Sequence, residues 1–224
     1  MHRRAMLLAT GGVATVAGCF STDGTEQADA TADFVDSNVL TAPPRDGSTD
    51  TSWLRIDIEN DTSAPHGRLE AESRVRSEDG TTMVTGEHVT SYLPANTTLR
   101  YFVDAEFEVD AVDAVENDVV EANTRVESTQ LDDVTVRNTD LSAGGDVLNV
   151  TGEFSVGVDE AERLVVVALI YDEAGRLRGT GTDIKYTLDT TEPVEFGANS
   201  DGFRAPAGST PLESYDVVVF DGYT

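Results

Sequence analysis

Apolar and charged residues alternate with a period of two along much of the chain from Phe34 onward. The alternation is plainest over residues 54–59 and 103–110, where every second residue is apolar and most of the others are acidic. Successive side chains of a β-strand point to opposite faces, whereas apolar residues on one face of a helix recur every three to four positions. The pattern therefore predicts an all-β fold, with acidic strand faces directed into solvent.

Further apolar runs have the length of strands and are bounded by Gly, Pro, Asn or Asp. They lie at residues 134–137, 148–156, 164–171, 184–188 and 215–220. The pair Gly144-Gly145 between the first two predicts a hairpin turn. Valines at helical spacing in residues 112–120 are compatible with a helix, but valine is β-branched and favours strands, so both structures remain open there.

The chain repeats itself with a shift of 95 residues, which aligns residues 60–101 with residues 155–196 without a gap. Each copy has a polar turn that ends in glycine and a second glycine six residues later. These glycines are Gly80 and Gly86 in the first copy and Gly175 and Gly181 in the second. A repeat of this length has the size of a small β-sandwich.

The repeat predicts two tandem immunoglobulin-like β-sandwich domains, at residues 34–127 and 128–224. They follow a signal segment with a lipobox, at residues 1–18, and a tether at residues 19–33. The tether is acidic, lacks large apolar residues over most of its length, and is expected to be flexible.

The N-terminal segment has the composition of an export signal. Arg3 and Arg4 precede an uncharged, weakly apolar stretch at residues 5–18. As a helix this stretch would extend about 21 Å, which is short of the roughly 30 Å hydrocarbon core of a membrane. Paired arginines ahead of such a stretch resemble a twin-arginine signal, which exports proteins already folded.

Val16, Ala17 and Gly18 precede Cys19, the only cysteine of the chain. This string resembles the lipobox of exported lipoproteins, in which cleavage before the cysteine exposes a thiol that carries a lipid. The alternative, a lone buried cysteine, is disfavoured by the polar residues that follow. The sequence thus predicts an extracytoplasmic protein bound to the outer face of the cell membrane by a lipid on Cys19.

Acidic residues outnumber basic ones by 42 to 15, which gives a net charge of -27. Such a charge destabilises a compact chain by self-repulsion unless high salt screens it, so the composition indicates adaptation to high salt. Nucleic acid is excluded as a partner because it carries the same sign of charge. A disordered acidic chain is the alternative, which the regular apolar alternation opposes.

The second copy of the repeat resembles the FxLYD-type domain. The resemblance rests on Gly152-Glu153-Phe154, on Tyr171-Asp172 with Gly175, on Gly179-Thr180-Gly181, and on a late Glu192-Pro193-Val194-Glu195-Phe196. The first copy matches less well, with Arg76 and Ser77 in place of Tyr171 and Asp172. With the N-terminal segment, the chain looks like a haloarchaeal-type twin-arginine-exported lipoprotein with tandem FxLYD-like domains. The resemblance implies an immunoglobulin-like binding or scaffolding module without catalytic residues.

The family motif has a structural interpretation. The Asp172 side chain is expected to accept a hydrogen bond from the backbone two residues on, and Gly175 to adopt a positive φ. The Tyr171 ring is expected to cover one end of the core. These three residues therefore predict a hairpin turn, not a binding site.

Residues with catalytic or metal-binding chemistry form no recognisable constellation. His2, His66 and His88 lack the spacing of metal ligands, and we interpret the latter two as surface residues. The chain has neither a phosphate-binding glycine loop nor a serine-nucleophile elbow. We expect no enzyme activity, no cofactor and no dedicated metal site, although a calcium site on an acidic loop remains an alternative.

Three Asn-x-Thr sequons, at Asn60, Asn96 and Asn149, are candidate glycan acceptors in an exported chain. The leading hypothesis for function is an interaction or structural module of a halophile cell envelope, with a protein partner in that envelope. The alternative is a solute- or cation-binding accessory protein of a transport system. A concave pocket lined by convergent polar groups would favour the alternative.

Overall fold

The computed structural model describes residues 30–42, 51–126, 128–144, 147–157, 160–189, 192–200 and 203–222. Most of these residues lie in β-strands, and the helical content among them is one 3-10 turn at Val109–Ala111. None of the described residues belongs to a helix long and apolar enough to span a membrane. The predicted all-β fold is confirmed.

Thirteen strands are formed by the described residues. In chain order they are β1 Asp33–Ala42, β2 Thr51–Asn60, β3 Leu69–Ser77, β4 Thr82–Thr90, β5 Thr97–Ala105, β6 Val112–Ala122, β7 Thr129–Gln130, β8 Val134–Gly144, β9 Val147–Val156, β10 Glu160–Asp172, β11 Leu177–Asp189, β12 Val194–Ser200 and β13 Leu212–Asp221. The five shorter apolar runs predicted from the sequence fall within β8, β9, β10, β11 and β13. Strands β8 and β9 pair as the hairpin that Gly144-Gly145 predicts.

The same antiparallel pairing pattern occurs twice. In the first half, β2 lies between β1 and β5, and β3 lies between β4 and β6. In the second half, β9 lies between β8 and β12, and β10 lies between β11 and β13. The halves join where β5 runs parallel to β11 at Leu99 and Leu177, so one sheet continues from the first half into the second. The boundary between residues 127 and 128 stays a prediction.

The hairpin of β3 and β4 recurs as the hairpin of β10 and β11 in the same register. Ser73 pairs with Gly86, and 95 residues later Ala168 pairs with Gly181. Both hairpins contain a bulge at the corresponding position, after Val75 and after Ile170. The alignment of the repeats is therefore confirmed for this hairpin.

The two hairpin turns share their hydrogen bonds as well. In the first turn, the Gly80 N–H donates to the carbonyl of Ser77 at 2.8 Å, and in the second the Gly175 N–H donates to that of Asp172 at 2.8 Å. Gly80 and Gly175 have φ values of 80° and 75°, and L side chains rarely adopt such values. The turn glycine of each repeat is thus required by backbone conformation.

The second glycine of each repeat is required by a close approach of the following strand. A Cβ at Gly86 would collide with both methyls of Val103, and one at Gly181 would lie 2.6 Å from the carbonyl oxygen of Ala198. Val103 and Ala198 are themselves 95 residues apart. The repeat therefore preserves a close approach of the following strand as well as a turn.

Two apolar cores lie on opposite faces of β10. The first core also contains side chains from β2, β3 and β5, and β10 contributes to it Val165, Val167 and Leu169. The second also contains side chains from β9 and β12, and β10 contributes to it Leu164, Val166, Ala168 and Ile170. Because β10 is buried on both faces, the core of the first half is completed by side chains of the second half.

The exposed face of β3 carries a ladder of ion pairs with β6. Carboxylates of β6 contact two arginines of β3 and Arg68, which immediately precedes it. The pairs are Arg68–Glu121 at 2.6 Å, Arg74–Asp118 at 3.1 Å and Arg76–Glu116 at 2.9 Å. Exposed pairs of this kind each contribute at most about 1 kcal/mol. Together these arginines neutralise part of a surface that would otherwise be acidic.

Two segments are assigned by strand pairing. Residues 112–120, for which helix and strand were both open, lie in β6 and pair with β3. Residues 103–110 were expected to form one strand, but β5 ends at Ala105, which pairs with Ser52 near the start of β2. Beyond Ala105 the partner strand has ended, and the chain continues into the 3-10 turn. Alternation alone could not indicate where the partner ends.

Asp57 lies on the face of β2 that was predicted to point into solvent, yet it is 5% exposed. Arg100 of β5 lies directly opposite, and its Nε donates to Asp57 Oδ1 at 2.6 Å while a second N–H donates to Oδ2. This hydrogen bonding raises the pKa of Arg100 above its usual value. The predicted solvent-facing position is wrong for Asp57, because a bidentate partner allows its burial.

Candidate functional site

The residues predicted to govern export and anchoring lie outside the described residues. They are Arg3, Arg4, Val16, Ala17, Gly18 and Cys19. The described body begins at Ala30, which is 2% exposed and donates its N–H to the Thr124 carbonyl at 2.9 Å. Thr31 donates to Asp61 at 3.2 Å. Ala30 and Thr31 therefore contact the body a few residues before the predicted start at residue 34.

The family motif forms the turn that the sequence predicts. Asp172 Oδ1 accepts hydrogen bonds from the backbone N–H of Ala174 at 3.0 Å and of Arg176 at 3.1 Å. Its other oxygen accepts one from Arg176 Nε at 3.0 Å. Tyr171 packs against the first core, and burial, with a contribution from Asp216, raises the pKa of its phenol to about 12. Asp172 and Gly175 thus form a hairpin turn, and Tyr171 lies against the first core.

A chain of buried charges links the two halves next to this turn. The side chain of Arg178, on β11, is 1% exposed, and one of its terminal nitrogens lies 3.7 Å from Asp172 Oδ2. Its Nε donates to the carbonyl of Arg100 at 3.1 Å, and Nη1 donates to that of Thr210 at 3.4 Å. Arg178 thus joins the second half to β5 of the first.

Two aromatic rings enclose the Arg178 guanidinium. Its central carbon lies 5.0 Å from the centroid of the Phe102 ring and 5.6 Å from that of Phe203. A cation removed from water gains appreciable stabilisation from the negative faces of such rings. Ion pairing, carbonyl contacts and ring contacts together account for the burial of this arginine.

Side chains from both halves line a small cavity here, which we term the junction cleft. They are His88, Tyr101, Phe102, Arg178, Ser200, Phe203 and Arg204. The volume is about 10 Å³, which is the space of a single water molecule. Ligand pockets have volumes of about 300–1,000 Å³. The junction cleft is therefore packed protein and not a site for an organic ligand.

The interpretation of His66 and His88 as surface residues is wrong. His66 is 1% exposed, and its Nδ1 lies 3.2 Å from the carbonyl oxygen of Gly67. The His88 ring is stacked on Tyr101 with centroids 4.3 Å apart, and its Nε2 is shielded from solvent. Burial lowers the pKa of His88 to about 4. The His88 ring thus lies against an aromatic side chain and His66 is buried, and a lone histidine in a polar sequence reveals neither.

A second, wider cleft lies where β1 ends and β2 begins, and we term it the strand-end cleft. It has a volume of about 470 Å³ and is lined by Thr41, Thr51, Ser52, Glu106, Phe107 and Glu108. Two of its hydroxyls are already engaged, because Thr51 donates to the Ala105 carbonyl at 3.4 Å and Ser52 donates to that of Phe107. The carboxylates of Glu106 and Glu108 lie on exposed residues.

The strand-end cleft lies at the end of β1 that is opposite to Asp33, the first residue of the strand. Asp33, at the start of the strand, pairs with Glu59, whereas Ala42, at its end, pairs with Thr51. A strand of ten residues extends about 30 Å. The cleft is therefore far from the point where the N-terminal segment joins the body.

The three sequons differ in their surroundings. Asn60 is fully buried, and its amide nitrogen donates to three carbonyl oxygens. Asn149 lies in β9 between two neighbouring strands, with its Oδ1 shielded from solvent. Asn96 is exposed in the loop before β5 and has a φ of 52°. Asn60 is therefore a structural residue and not an acceptor in the folded protein.

Sequence reasoning missed the buried charges Asp57, Arg100 and Arg178. A signal was available for the first two, because opposite charges at facing positions of two paired strands indicate a cross-strand ion pair. That signal needs the register of β2 and β5, which the sequence does not supply. Arg178 carried no such signal, because its partners come from four separate segments.

The described residues contain no group of three or more His, Cys, Asp or Glu side chains arranged to hold a metal ion. Comparison with protein families finds no matching family, and comparison with curated proteins finds no matching protein. Among solved structures, the N-terminal CBM22-1-CBM22-2 tandem domain of Paenibacillus barcinonensis Xyn10C is 12% identical to this chain. That match covers 87% of this chain and 85% of the other with a TM-score of 0.15, which is too low to support an argument about fold or function.

Proposed function

We propose that this chain is an extracytoplasmic lipoprotein whose two-repeat body serves as an interaction or structural module of a halophile cell envelope. The observation that carries the proposal is that the buried charged side chains at the junction form contacts within the protein. Arg178 donates a hydrogen bond to the carbonyl of Arg100 in the first half and lies beside Asp172 in the second half. Asp172 also accepts a hydrogen bond from Arg176. These groups therefore hold the two halves of the body together. They are not presented to a substrate.

The location rests on the N-terminal segment. Paired Arg3 and Arg4, the apolar stretch and the string ending at Cys19 resemble those of a haloarchaeal-type lipoprotein exported by the twin-arginine route. The second half resembles FxLYD-like domains, and this resemblance supports the proposal that the body is a module of an exported protein. The net charge of -27 supports an envelope bathed in high salt.

Membrane fractionation of the wild type and Cys19→Ser tests the anchor. We expect wild-type protein in the membrane fraction with a lipid mass on its N-terminal peptide, because two hydrocarbon chains give stable anchoring. Cys19→Ser should be released from the membrane or remain uncleaved. Cys19→Ser protein that is processed and still retained by the membrane would refute lipid anchoring.

Cross-linking in intact cells, followed by purification at high salt, tests the interaction role. High salt screens exposed charges, so adventitious contacts of an acidic surface should be lost. We expect a specific envelope protein to be cross-linked to the wild type and not to the released Cys19→Ser protein. Recovery of the wild type as an uncross-linked monomer at every reagent concentration would contradict the proposal.

Binding of a cationic solute is a second candidate, and the strand-end cleft favours it. The carboxylates of Glu106 and Glu108, beside the aromatic ring of Phe107, can hold an organic cation. The cleft opens at the end of β1 that is opposite to Asp33.

Thermal unfolding with and without betaine or choline tests this candidate. A stabilisation by ligand that is lost in Glu106→Gln/Glu108→Gln, and kept in the matched surface variant Glu78→Gln/Glu87→Gln, would support it. Equal effects on both variants would indicate a general response to charge and would exclude the cleft as a site.

A further inference from the structure

We infer that Asn96 is the N-glycan acceptor of this protein and that the other two sequons remain unmodified because the chain is modified after it has folded. The inference rests on the proposed export of the chain. It extends that proposal by naming the modified atom, the chemical class of the group attached and the order of folding and modification.

The chemistry requires free access to a carboxamide. Asn96 Nδ2 forms a bond to the anomeric carbon of a glycan carried on a lipid phosphate, and the bond between that carbon and a phosphate oxygen breaks. The lipid phosphate leaves with the electron pair, and the amide gives up one proton. A transferase must therefore surround the asparagine and the threonine two residues later.

Asn60 does not meet this requirement in the folded protein. Its Nδ2 donates to the carbonyls of Ala64 at 2.9 Å, Leu93 at 3.3 Å and Pro94 at 3.1 Å. The hydroxyl of its sequon threonine, Thr62, donates to Asn60 Oδ1 at 2.6 Å. Both side chains that a transferase would need are thus engaged with each other or with the backbone.

Asn149 is held in a sheet on both sides. It pairs with Ser142 of β8 and with Asn199 of β12. The carbonyl of Asn149 also accepts a hydrogen bond from the Ser142 hydroxyl at 3.4 Å. To enter an enzyme site, this segment would have to leave both neighbours, which requires opening of the central strand of its sheet.

Asn96 itself has the opposite environment, while its sequon threonine, Thr98, is half-buried at the start of β5 opposite Glu59. Asn96 is exposed at the last position before β5 and has a φ of 52°, a left-handed conformation that asparagine tolerates better than most residues. Its backbone N–H donates to the Thr62 carbonyl at 3.1 Å, which fixes the loop without using the side chain. The Asn96 carboxamide is therefore presented on a rigid loop.

The buried sequon builds the loop that presents the exposed one. Asn60 donates to the carbonyls of Leu93 and Pro94, which lie just before Asn96 in the same loop. A glycan on Asn60 would remove these contacts. Modification of an unfolded chain would expose both sequons equally and would place a glycan where the fold cannot accept one.

Glycopeptide mass analysis of full-length protein from a host whose envelope proteins carry N-glycans tests the inference. Trypsin, which cleaves after Arg and Lys, separates the sequons into peptides 56–68, 77–100 and 138–163. We expect a glycan mass on peptide 77–100 alone. We expect its loss in Asn96→Gln and in Thr98→Val, which removes the sequon hydroxyl and retains a β-branched side chain. The matched variants Asn149→Gln and Thr151→Val should retain it.

A glycan on peptide 56–68 or 138–163 would overturn the inference, because it would show modification before folding. An unmodified peptide 77–100 would also overturn it. The N-terminal peptide from the same digest reports lipidation of Cys19 separately. A glycan on Asn96 together with an unlipidated Cys19 would sustain the inference and refute the proposed anchor, so the two failures are distinguishable.

Discussion

At the scale of single residues, Asp172 is a buried charge with partners both near to it and far from it along the chain. Its side chain has no solvent exposure and lies 3.7 Å from the buried Arg178. It also accepts the two backbone hydrogen bonds that shape the turn. Asp172 therefore combines a local role in the turn with a long-range role at the junction of the two halves.

Asp172→Asn should destabilise the protein by about 3 kcal/mol, because it removes a buried negative charge beside the buried guanidinium of Arg178. The measurement is urea unfolding at high salt, which yields the free energy of unfolding. Glu173→Gln, at the exposed neighbouring position, should change it by less than about 0.5 kcal/mol. Equal effects of the two variants would contradict the assigned role.

His88 should make stability depend on pH. Burial lowers its pKa to about 4 in the folded protein, against about 6.5 when unfolded. The unfolded chain therefore binds a proton first as pH falls, and stability present above the unfolded pKa is lost between about pH 6.5 and pH 4. Between about pH 7.5 and pH 5 the loss is about 2 kcal/mol.

Comparing the wild type with His88→Phe isolates this effect, since phenylalanine can stack on Tyr101 and does not titrate. We expect the difference in unfolding free energy between about pH 7.5 and pH 5 to be about 2 kcal/mol smaller in His88→Phe. Identical pH profiles would show that His88 protonates without penalty in the folded protein.

For single residues, the sequence predicted the structure well where a residue shapes the backbone next to it. Asp172 and Gly175 shape a turn, and turn chemistry depends on nearby residues alone. The prediction failed for His66, His88 and Asp57, whose surroundings are built by strands distant in sequence. The candidate site could not be predicted for the same reason, because Arg178 contacts Arg100 only when β5 and β11 lie side by side.

At the scale of elements, the two related hairpins offer an internal comparison. Both contain the second glycine of the repeat, but different atoms approach it. The obstacle to a Cβ at Gly86 is the side chain of Val103, whereas the obstacle at Gly181 is the backbone carbonyl of Ala198. A side chain can move or be shortened, and a strand backbone cannot without disturbing its sheet.

Gly181→Ala should therefore destabilise the protein by about 1–3 kcal/mol, and more than Gly86→Ala does. Adding Val103→Ala to Gly86→Ala should recover part of the loss, because it removes the obstructing methyls. The measurement is the free energy of unfolding in urea for the three variants. A Gly181→Ala protein as stable as the wild type would refute the close approach.

Because of the repeat, the strands and turns were the part of the structure most easily predicted from the sequence. The first glycine of the repeat marked the hairpin turn before any strand was known, because a turn needs a residue that adopts positive φ. Alternation and bounded apolar runs located seven of the strands, namely β2, β5, β8, β9, β10, β11 and β13. Alternation overran the end of β5, since a strand ends where its partner ends and the partner is not encoded locally.

At the scale of the whole molecule, the shared strand β10 limits the independence of the halves. The core of the first half includes side chains from three strands of the second. They are Val165, Val167, Leu169, Leu177 and Phe220. Their burial contributes about 10 kcal/mol in total, which is comparable to the whole stability of a typical domain.

A fragment of residues 30–127 should consequently not fold cooperatively on its own, whereas residues 30–222 should. Circular dichroism and urea unfolding of the two fragments at high salt provide the measurement. A sharp unfolding transition of the short fragment would contradict a shared core. The sequence predicted two tandem units because a repeat reports similarity between segments, whereas sharing of a core depends on how those segments pack.

The entry of the chain at Ala30 has a mechanical consequence. For a protein held by its N-terminus, tension arrives at β1 and pulls it lengthwise along β2. The bonds between antiparallel strands run perpendicular to the strands, so such a pull loads the whole ladder in shear at once. The bond from Ala30 to Thr124 lies ahead of that ladder and would yield first. A chain anchored at its N-terminus would therefore resist force through the whole β1–β2 ladder.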